Sequence, residues 1–236
     1  PHTLAEARDR IRAFKAEGKI SGPVEARFAA GVYPMTEPVV FTPEDSGTLS
    51  APITYAAAPG AEVIFSGGRK ITGWRQEGDL WVAEAPEAAN EQWGFGALWV
   101  NGTRRTLART PNAGEYFYTA ELNPDIIDPQ TGGVSKEPTR AFRYANDDLR
   151  PWQNLGDAVV WVFHAWESSA HHIERLDETN KVVLFTNPAG RELGQYAGSP
   201  LRYYVEGIFE GLDQPGEWYL NRKMGQVFYK PMPGED

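Results

Sequence analysis

The acids and imidazoles between positions 147 and 172 carry the chemistry this sequence could perform. Acid–base cleavage of an acetal, as in glycoside hydrolysis, wants two carboxylates flanking the bond, one kept protonated by apolar or like-charged surroundings. Glu167, inside His164-Ala165-Trp166-Glu167-Ser168-Ser169, is the candidate acid, because the adjacent tryptophan could desolvate it or stack on a sugar face. The plainer reading, which the commonness of exposed glutamate favours, is a surface acid at a strand break beside a core tryptophan. Asp147-Asp148 is a second acidic pair, but adjacent side chains on an extended chain point apart, so it reads as a solvated turn. His164, His171 and His172 invite a metal, and His164 and His172 share strand parity. No His-Glu-x-x-His motif and no cysteine accompanies them, so a structural or sugar-contacting role is expected, with no metal and no cofactor. Pro43-Glu44-Asp45-Ser46-Gly47 is too sparse in acidic oxygens for a calcium loop and reads as a turn.

Carbohydrate binding without catalysis needs aromatic platforms and planar hydrogen-bonding groups, since sugar rings have apolar faces rimmed by hydroxyls. The candidates are Trp93, Arg109, Asn112, Tyr116 and Tyr118 in loops, joined by His164 and Trp166 at the strand break. Trp99, Trp161 and Trp218 read as ordinary core. Nothing matches a nucleophile elbow, a phosphate loop or a dinucleotide fingerprint.

The elements that would position these residues fall in two blocks. Val24–Phe28 and Ile53–Ala57 start 29 positions apart, and Val39–Phe41 and Val63–Phe65 start 24 apart, with turn residues between them. That spacing suits the rungs of a parallel solenoid, although short antiparallel strands could share it. Thr3-Leu4-Ala5-Glu6 has the form of a capping box, and Leu4, Ala7, Ile11 and Phe14 make one apolar stripe before Gly18. A helix over residues 3–17 is expected to cap the solenoid. All eight tryptophans lie from Trp74 onward, marking a second block of hairpins, one of them around Asn101-Gly102. The glycosylation sequon at Asn101-Gly102-Thr103 is accounted for by that tight turn. Residues 111–150 show no sustained period and read as a long surface loop. The fold class is all-β: a capping helix and first β-helix coils over 1–70, then an antiparallel β-sandwich over 71–236.

A net charge of −9 with no basic run argues against nucleic acid as a partner, and no apolar stretch approaches membrane-spanning length. Without cysteine there are no disulfides and no thiolate chemistry.

The N-terminal helix and the runs TPEDSGTLSAPITYAAAPGAEVIFSGGRKITGW, ALWVNGTRRTLARTPN and GEWYLNRKMGQVFYKPMPGED together resemble the start of right-handed parallel β-helix proteins of the glycoside hydrolase family 141 type. The resemblance covers essentially the whole chain. It implies a pectin-lyase-like β-helix interrupted by an inserted β-sandwich, and action on plant cell-wall glycans with fucosidase- or xylanase-like activity. It further implies catalytic carboxylates on later coils, so no catalytic residue is transferred onto this chain and a missing C-terminal β-helix segment is expected as its partner. A secreted or periplasmic bacterial protein with a carbohydrate substrate would fit. A non-catalytic glycan-binding or structural module and a β-helix polysaccharide lyase are the competing readings.

Overall fold

The structure is a computed structural model and describes residues 2–89, 94–121 and 123–235. The chain forms two compact units, residues 1–70 and 71–236. Among the described residues there is one α-helix, and the remaining regular structure is strand apart from short 3-10 turns.

In the first unit α1 (Leu4–Ala16) precedes β1 (Val24–Phe28), β2 (Gly31–Pro34), β3 (Ile53–Ala57) and β4 (Val63–Ser66). The Thr3 hydroxyl accepts from the Glu6 amide at 3.0 Å, while the Glu6 carboxylate takes the His2 amide at 2.8 Å. The stripe buries Ala7 and Ile11 but leaves Phe14 36% exposed. Two separate parallel ladders follow, β1 with β3 and β2 with β4. Val24 pairs with Ile53, an advance of 29 residues, as the first spacing anticipates. The second ladder differs from expectation: Gly31 pairs with Val63, an advance of 32, and Val39–Phe41 is not a strand. Two interactions explain the shift. Tyr33 packs its ring on Phe28 and Phe65 at 5.4 Å from each, and the Val40 carbonyl accepts instead from the Arg8 guanidinium at 2.7 Å.

The helix is latched to the turn at 42–46. Arg12 Nε donates to Asp45 Oδ1 at 2.6 Å and its second nitrogen to Oδ2 at 2.7 Å, a two-point guanidinium–carboxylate pair. The same Oδ2 accepts from the Thr42 amide at 2.7 Å. The Arg12 hydrogen bond is the main reason the Asp45 carboxyl is held far below the usual carboxylate range. Immediately after this turn two backbones touch. A Cβ on Gly47 would stand 2.6 Å from the Ala51 carbonyl oxygen and 2.7 Å from the Ile53 amide nitrogen.

The second unit holds β5 (Arg75–Glu77), β6 (Leu80–Glu84), β7 (Leu98–Val100), β8 (Thr103–Leu107), β9 (Arg109–Thr110), β10 (Phe117–Glu121), β11 (Asp125–Ile127), β12 (Val134–Lys136) and β13 (Ala141–Tyr144). It continues with β14 (Val159–Phe163), β15 (Ser168–Asp177), β16 (Val182–Phe185), β17 (Gln195–Tyr196), β18 (Ser199–Pro200), β19 (Arg202–Glu206), β20 (Glu217–Asn221) and β21 (Gln226–Tyr229).

The expected sandwich is corrected by the pairing. Strands β10, β13, β16, β15, β14 and β19 form a continuous antiparallel sheet, and β10 also pairs with β19. The sheet therefore closes into a six-stranded barrel, with β9 beside β10 along the same edge of β19. Its interior is filled by Phe142, Val160, Val162, Val183, Phe185, Tyr203 and Val205, each fully buried. Closure leaves no free edge on the ring strands where they pair. The barrel escapes sequence reading because two of its strands, β10 and β13, lie in the segment read as loop. Strand β13 shows no alternation because Phe142 and Tyr144 face inward, while Ala141 packs outside with Ile126, Val182 and Leu184 under the β11–β12 hairpin.

A second sheet, ordered β5-β6-β21-β20-β8-β7, is antiparallel except for β20 beside β8. The Asn101-Gly102 turn joins β7 to β8, with both central residues at positive φ of 51° and 75°, as a type I′ hairpin requires. Trp218 is buried and stacks on Phe95 at 5.2 Å. Trp99 and Trp161 depart from the core reading: Trp99 is 58% exposed beneath Arg104, and Trp161 points out of the barrel. No described helix is long and apolar enough to cross a membrane.

Gly47→Ala forces backbone apart in the first unit, and overpacking of this kind costs about 1–3 kcal/mol. Urea unfolding of the variant is expected to show a lower midpoint for the first unit and an unchanged one for the second; an unshifted first transition would show that the 47–53 contact is not a constraint.

Candidate functional site

The alternation along β14 and β19 sorts small aliphatic side chains from large flat ones. Val160, Val162 and Val205 turn inward with the ring of Tyr203, so Trp161, Phe163, Arg202, Tyr204 and Glu206 line the outer wall. Trp161 Nε1 donates to Glu206 Oε1 at 2.7 Å, which fixes the indole plane. Phe163 and Tyr204 are neighbours at 5.9 Å. The loop between β9 and β10 brings Tyr116 onto this wall, 5.5 Å from Phe163 and 6.4 Å from Tyr204.

Two guanidiniums complete the strip. Arg109 lies 3.6 Å over the Tyr204 ring, held by its donations to the Pro111 carbonyl at 2.9 Å and the Glu115 carbonyl at 3.0 Å. Arg202 stands 4.8 Å from the Tyr116 ring centre and 4.9 Å from that of Phe163. Burial, chiefly, pushes the Tyr204 phenol up to about 12, so it remains a hydroxyl across the working range. Flat rings with guanidiniums and a hydroxyl between them are the set a sugar recognises, apolar face on ring and hydroxyls on polar edge.

Among the expected residues, Arg109 and Tyr116 meet directly in this strip. Tyr118 pairs across from Arg202, which places it on the same outer face, and it is 55% exposed. Asn112 lies in the connecting loop, where its carbonyl accepts from the Glu115 amide at 3.0 Å and its side-chain oxygen is buried without a partner. Trp93 lies outside the described residues. Phe163, Arg202 and Tyr204 were not anticipated. Their signal is present in Val-Val-Trp-Val-Phe and Arg-Tyr-Tyr-Val-Glu, where aromatics occupy the parity opposite to valine.

His164, Trp166 and Glu167 form the tip of the β14–β15 hairpin, closed by the His164 amide donating to the Glu167 carbonyl at 2.8 Å. Trp166 is 71% exposed, edge-on to Tyr196 at 5.8 Å, with Arg191 at 5.1 Å over its face. Arg191 also pairs with Glu167 at 3.1 Å. Glu167 thus stands in solvent beside a guanidinium, without the apolar enclosure that a protonated catalytic acid needs.

The histidine parity does not survive the turn, because Phe163 pairs with Ser168 and the two arms of the hairpin are counted from there. His164 and His171 converge on one hydroxyl: Ser169 Oγ lies 2.9 Å from His164 Nε2 and 2.7 Å from His171 Nε2. His171 Nδ1 is 3.2 Å from the Asn187 carbonyl oxygen, which can only accept. The neutral His171 ring therefore carries its proton on Nδ1 and accepts from Ser169, whose oxygen accepts from Nε2–H of His164. His172 points away, to the Gly156 carbonyl at 3.2 Å. Among the described residues no group of three or more histidine or acidic side chains is placed to hold a metal.

No family model matches this sequence, and no curated protein matches it. In fold the chain is similar to a solved structure titled "Glycoside hydrolase", with a TM-score of 0.78 and 23% identity over 99% of this chain and 40% of that one. The chain thus shares the fold of that structure, is itself mostly β, and spans about 40% of that protein's length.

Burial, the leading cause, holds His164 and His171 below the ordinary histidine value, and the Asn187 carbonyl only partly opposes this at His171. A ring that takes up its proton less readily when folded than when unfolded stabilises the fold fully above about pH 6.5. That stabilisation is lost as pH falls toward the depressed folded value. Melting curves at about pH 7.5 and about pH 5.5 are expected to show a smaller difference for His171→Gln than for the parent, and equal differences would assign the pH dependence to other groups.

Proposed function

We propose that this chain is the N-terminal part of a carbohydrate-active glycoside hydrolase of the family 141 type, acting on plant cell-wall glycans in a fucosidase- or xylanase-like way. The first unit is then the capping helix and opening coils of a right-handed parallel β-helix, and the second is the inserted domain. The aromatic and arginine strip on the barrel wall supplies glycan contacts. The catalytic carboxylates belong to coils outside this chain, and the whole protein works in a secreted or periplasmic setting.

The observation that carries the reading is the outer strip itself. Phe163, Tyr204 and Tyr116 with Arg109 and Arg202 place flat rings and guanidiniums on a wall where a barrel ordinarily shows solvated polar side chains. The two parallel ladders, with advances of 29 and 32 residues, are what successive solenoid coils require. The glycoside hydrolase of similar fold is longer than this chain, which leaves room for further coils. A non-catalytic glycan-binding module is the second reading, favoured by the exposed, arginine-paired state of Glu167.

Affinity electrophoresis of the chain through xylan and fucosylated xyloglucan gels tests the strip. Retardation is expected for the parent and is weakened roughly three- to tenfold in Tyr204→Ala and Tyr116→Ala. Equal mobility of parent and variants would remove the strip from glycan binding, and release of the phenol from aryl glycosides by this chain alone would overturn the placement of the catalytic groups.

A further inference from the structure

A cleft of about 470 Å³ opens at the end of the barrel where β13 and β19 finish and β14 begins. Its volume falls in the range of about 300–1,000 Å³ typical of small-molecule sites. Trp152 and Phe117, both packed on the barrel core, give it apolar walls, while Asn146, Asp148, Arg150 and Glu210 give it polar ones.

The polar walls are anchored by the scaffold. Asp148 Oδ2 accepts at 3.1 Å from the hydroxyl of Tyr203, a side chain otherwise enclosed in the barrel. Glu210 Oε1 accepts from the Gln153 amide at 3.0 Å. Neighbouring Asp147, also on the rim, accepts from Lys181 Nζ at 2.9 Å through Oδ1, and Arg150 Nε donates to the Asp147 carbonyl at 3.1 Å. Each carboxylate is therefore ordered by the scaffold before a ligand arrives, which lowers the side-chain ordering cost of binding. Burial, aided by the charge of Asp147, pushes the Asp148 carboxyl above its ordinary value.

The cleft and the outer strip share one piece of chain. Thr110 and Phe117 line the cleft, while Arg109 and Tyr116, one residue before each, lie on the strip. A chain of sugars lying on the strip can thus pass over the 111–116 loop and end in the cleft.

We infer that this cleft is a second saccharide site, taking a terminal, non-acidic sugar unit with its ring against Trp152 and its hydroxyls on Asp148, Glu210 and Asn146. Three carboxylates against Arg150 and the Asp147-paired Lys181 leave the cleft net negative, which disfavours a uronate and sets the class of sugar. The inference rests on the reading that this unit contacts glycans, and its test separates the two. Nitrogen–proton correlation spectra of the whole chain, with the Trp152 indole assigned through Trp152→Phe, are titrated with xylose, fucose, glucosamine and glucuronate. A neutral or amino sugar is expected to shift the Trp152 indole signal, glucuronate is not, and Glu210→Gln or Asp148→Asn weakens the effect about tenfold or more. Tyr204→Ala leaves it unchanged. An unmoved Trp152 signal alongside Tyr204-dependent retardation in glycan gels would overturn the cleft and spare the strip; an unmoved signal without retardation would overturn both. Equal shifts with glucuronate would overturn the assigned class of sugar.

Discussion

Two backbone pairings, Phe117 with Tyr203 and Tyr118 with Arg202, close the six-stranded ring, and closure decides which side chains can serve as core. A sheet closed on itself has one inside. Once Val160, Val162, Val183, Phe185 and Phe142 fill it, the opposite parity of each strand is released from packing duty on that side. On β13 and β16 a hairpin covers the released face with Ile126. On β14 and β19 the face carries Trp161, Phe163, Tyr204 and their arginines instead. The same closure brings the Tyr203 hydroxyl to the barrel mouth, where it meets Asp148.

The first unit is organised by a different constraint, the stacking of chain on chain in parallel. Tyr33 and Phe65 come together at 5.4 Å because the second ladder sets residues one advance apart side by side, and Phe28 of the first ladder packs on both rings at 5.4 and 5.1 Å. The Arg12–Asp45 pair and the bare approach at Gly47 then fix the connection between successive strands. Long crossovers of this kind carry a loop-closure cost, and the latch between α1 and the turn offsets part of it by ordering the crossover locally.

The sequence makes some of this plain and hides the rest for identifiable reasons. Local rules were sufficient where one residue pair dictates a conformation: Thr3 with Glu6 at the helix start, Asn101-Gly102 in its hairpin, and Val24 with Ile53 in register. Reading failed where tertiary cover removes alternation, as in β13, or where a strand is wholly polar and exposed, as in Arg75–Glu77. The sandwich expectation failed because closure is a property of two distant segments and neither announces it. Of the site, Arg109 and Tyr116 were legible as loop residues of suitable chemistry, whereas Tyr204 and Arg202 lie within a strand whose outward parity shows only in its alternation with Tyr203 and Val205. The acid pair at Asp147-Asp148 was read as a solvated turn, and only the fold sets it at a cleft.

The two parallel ladders of the first unit have a consequence beyond their own architecture. Each is two strands wide, so β3 and β4 pair on one side and offer a flank of backbone amides and carbonyls on the other. Ile64 and Phe65 stand exposed on β4, and Val32 on its partner β2. A flank of that kind is a template that accepts any extended peptide, including a second copy of itself, and natural proteins guard such flanks against fibril growth. Whatever occupies the outer flank of β3 and β4 is therefore also what keeps that template from pairing with another chain.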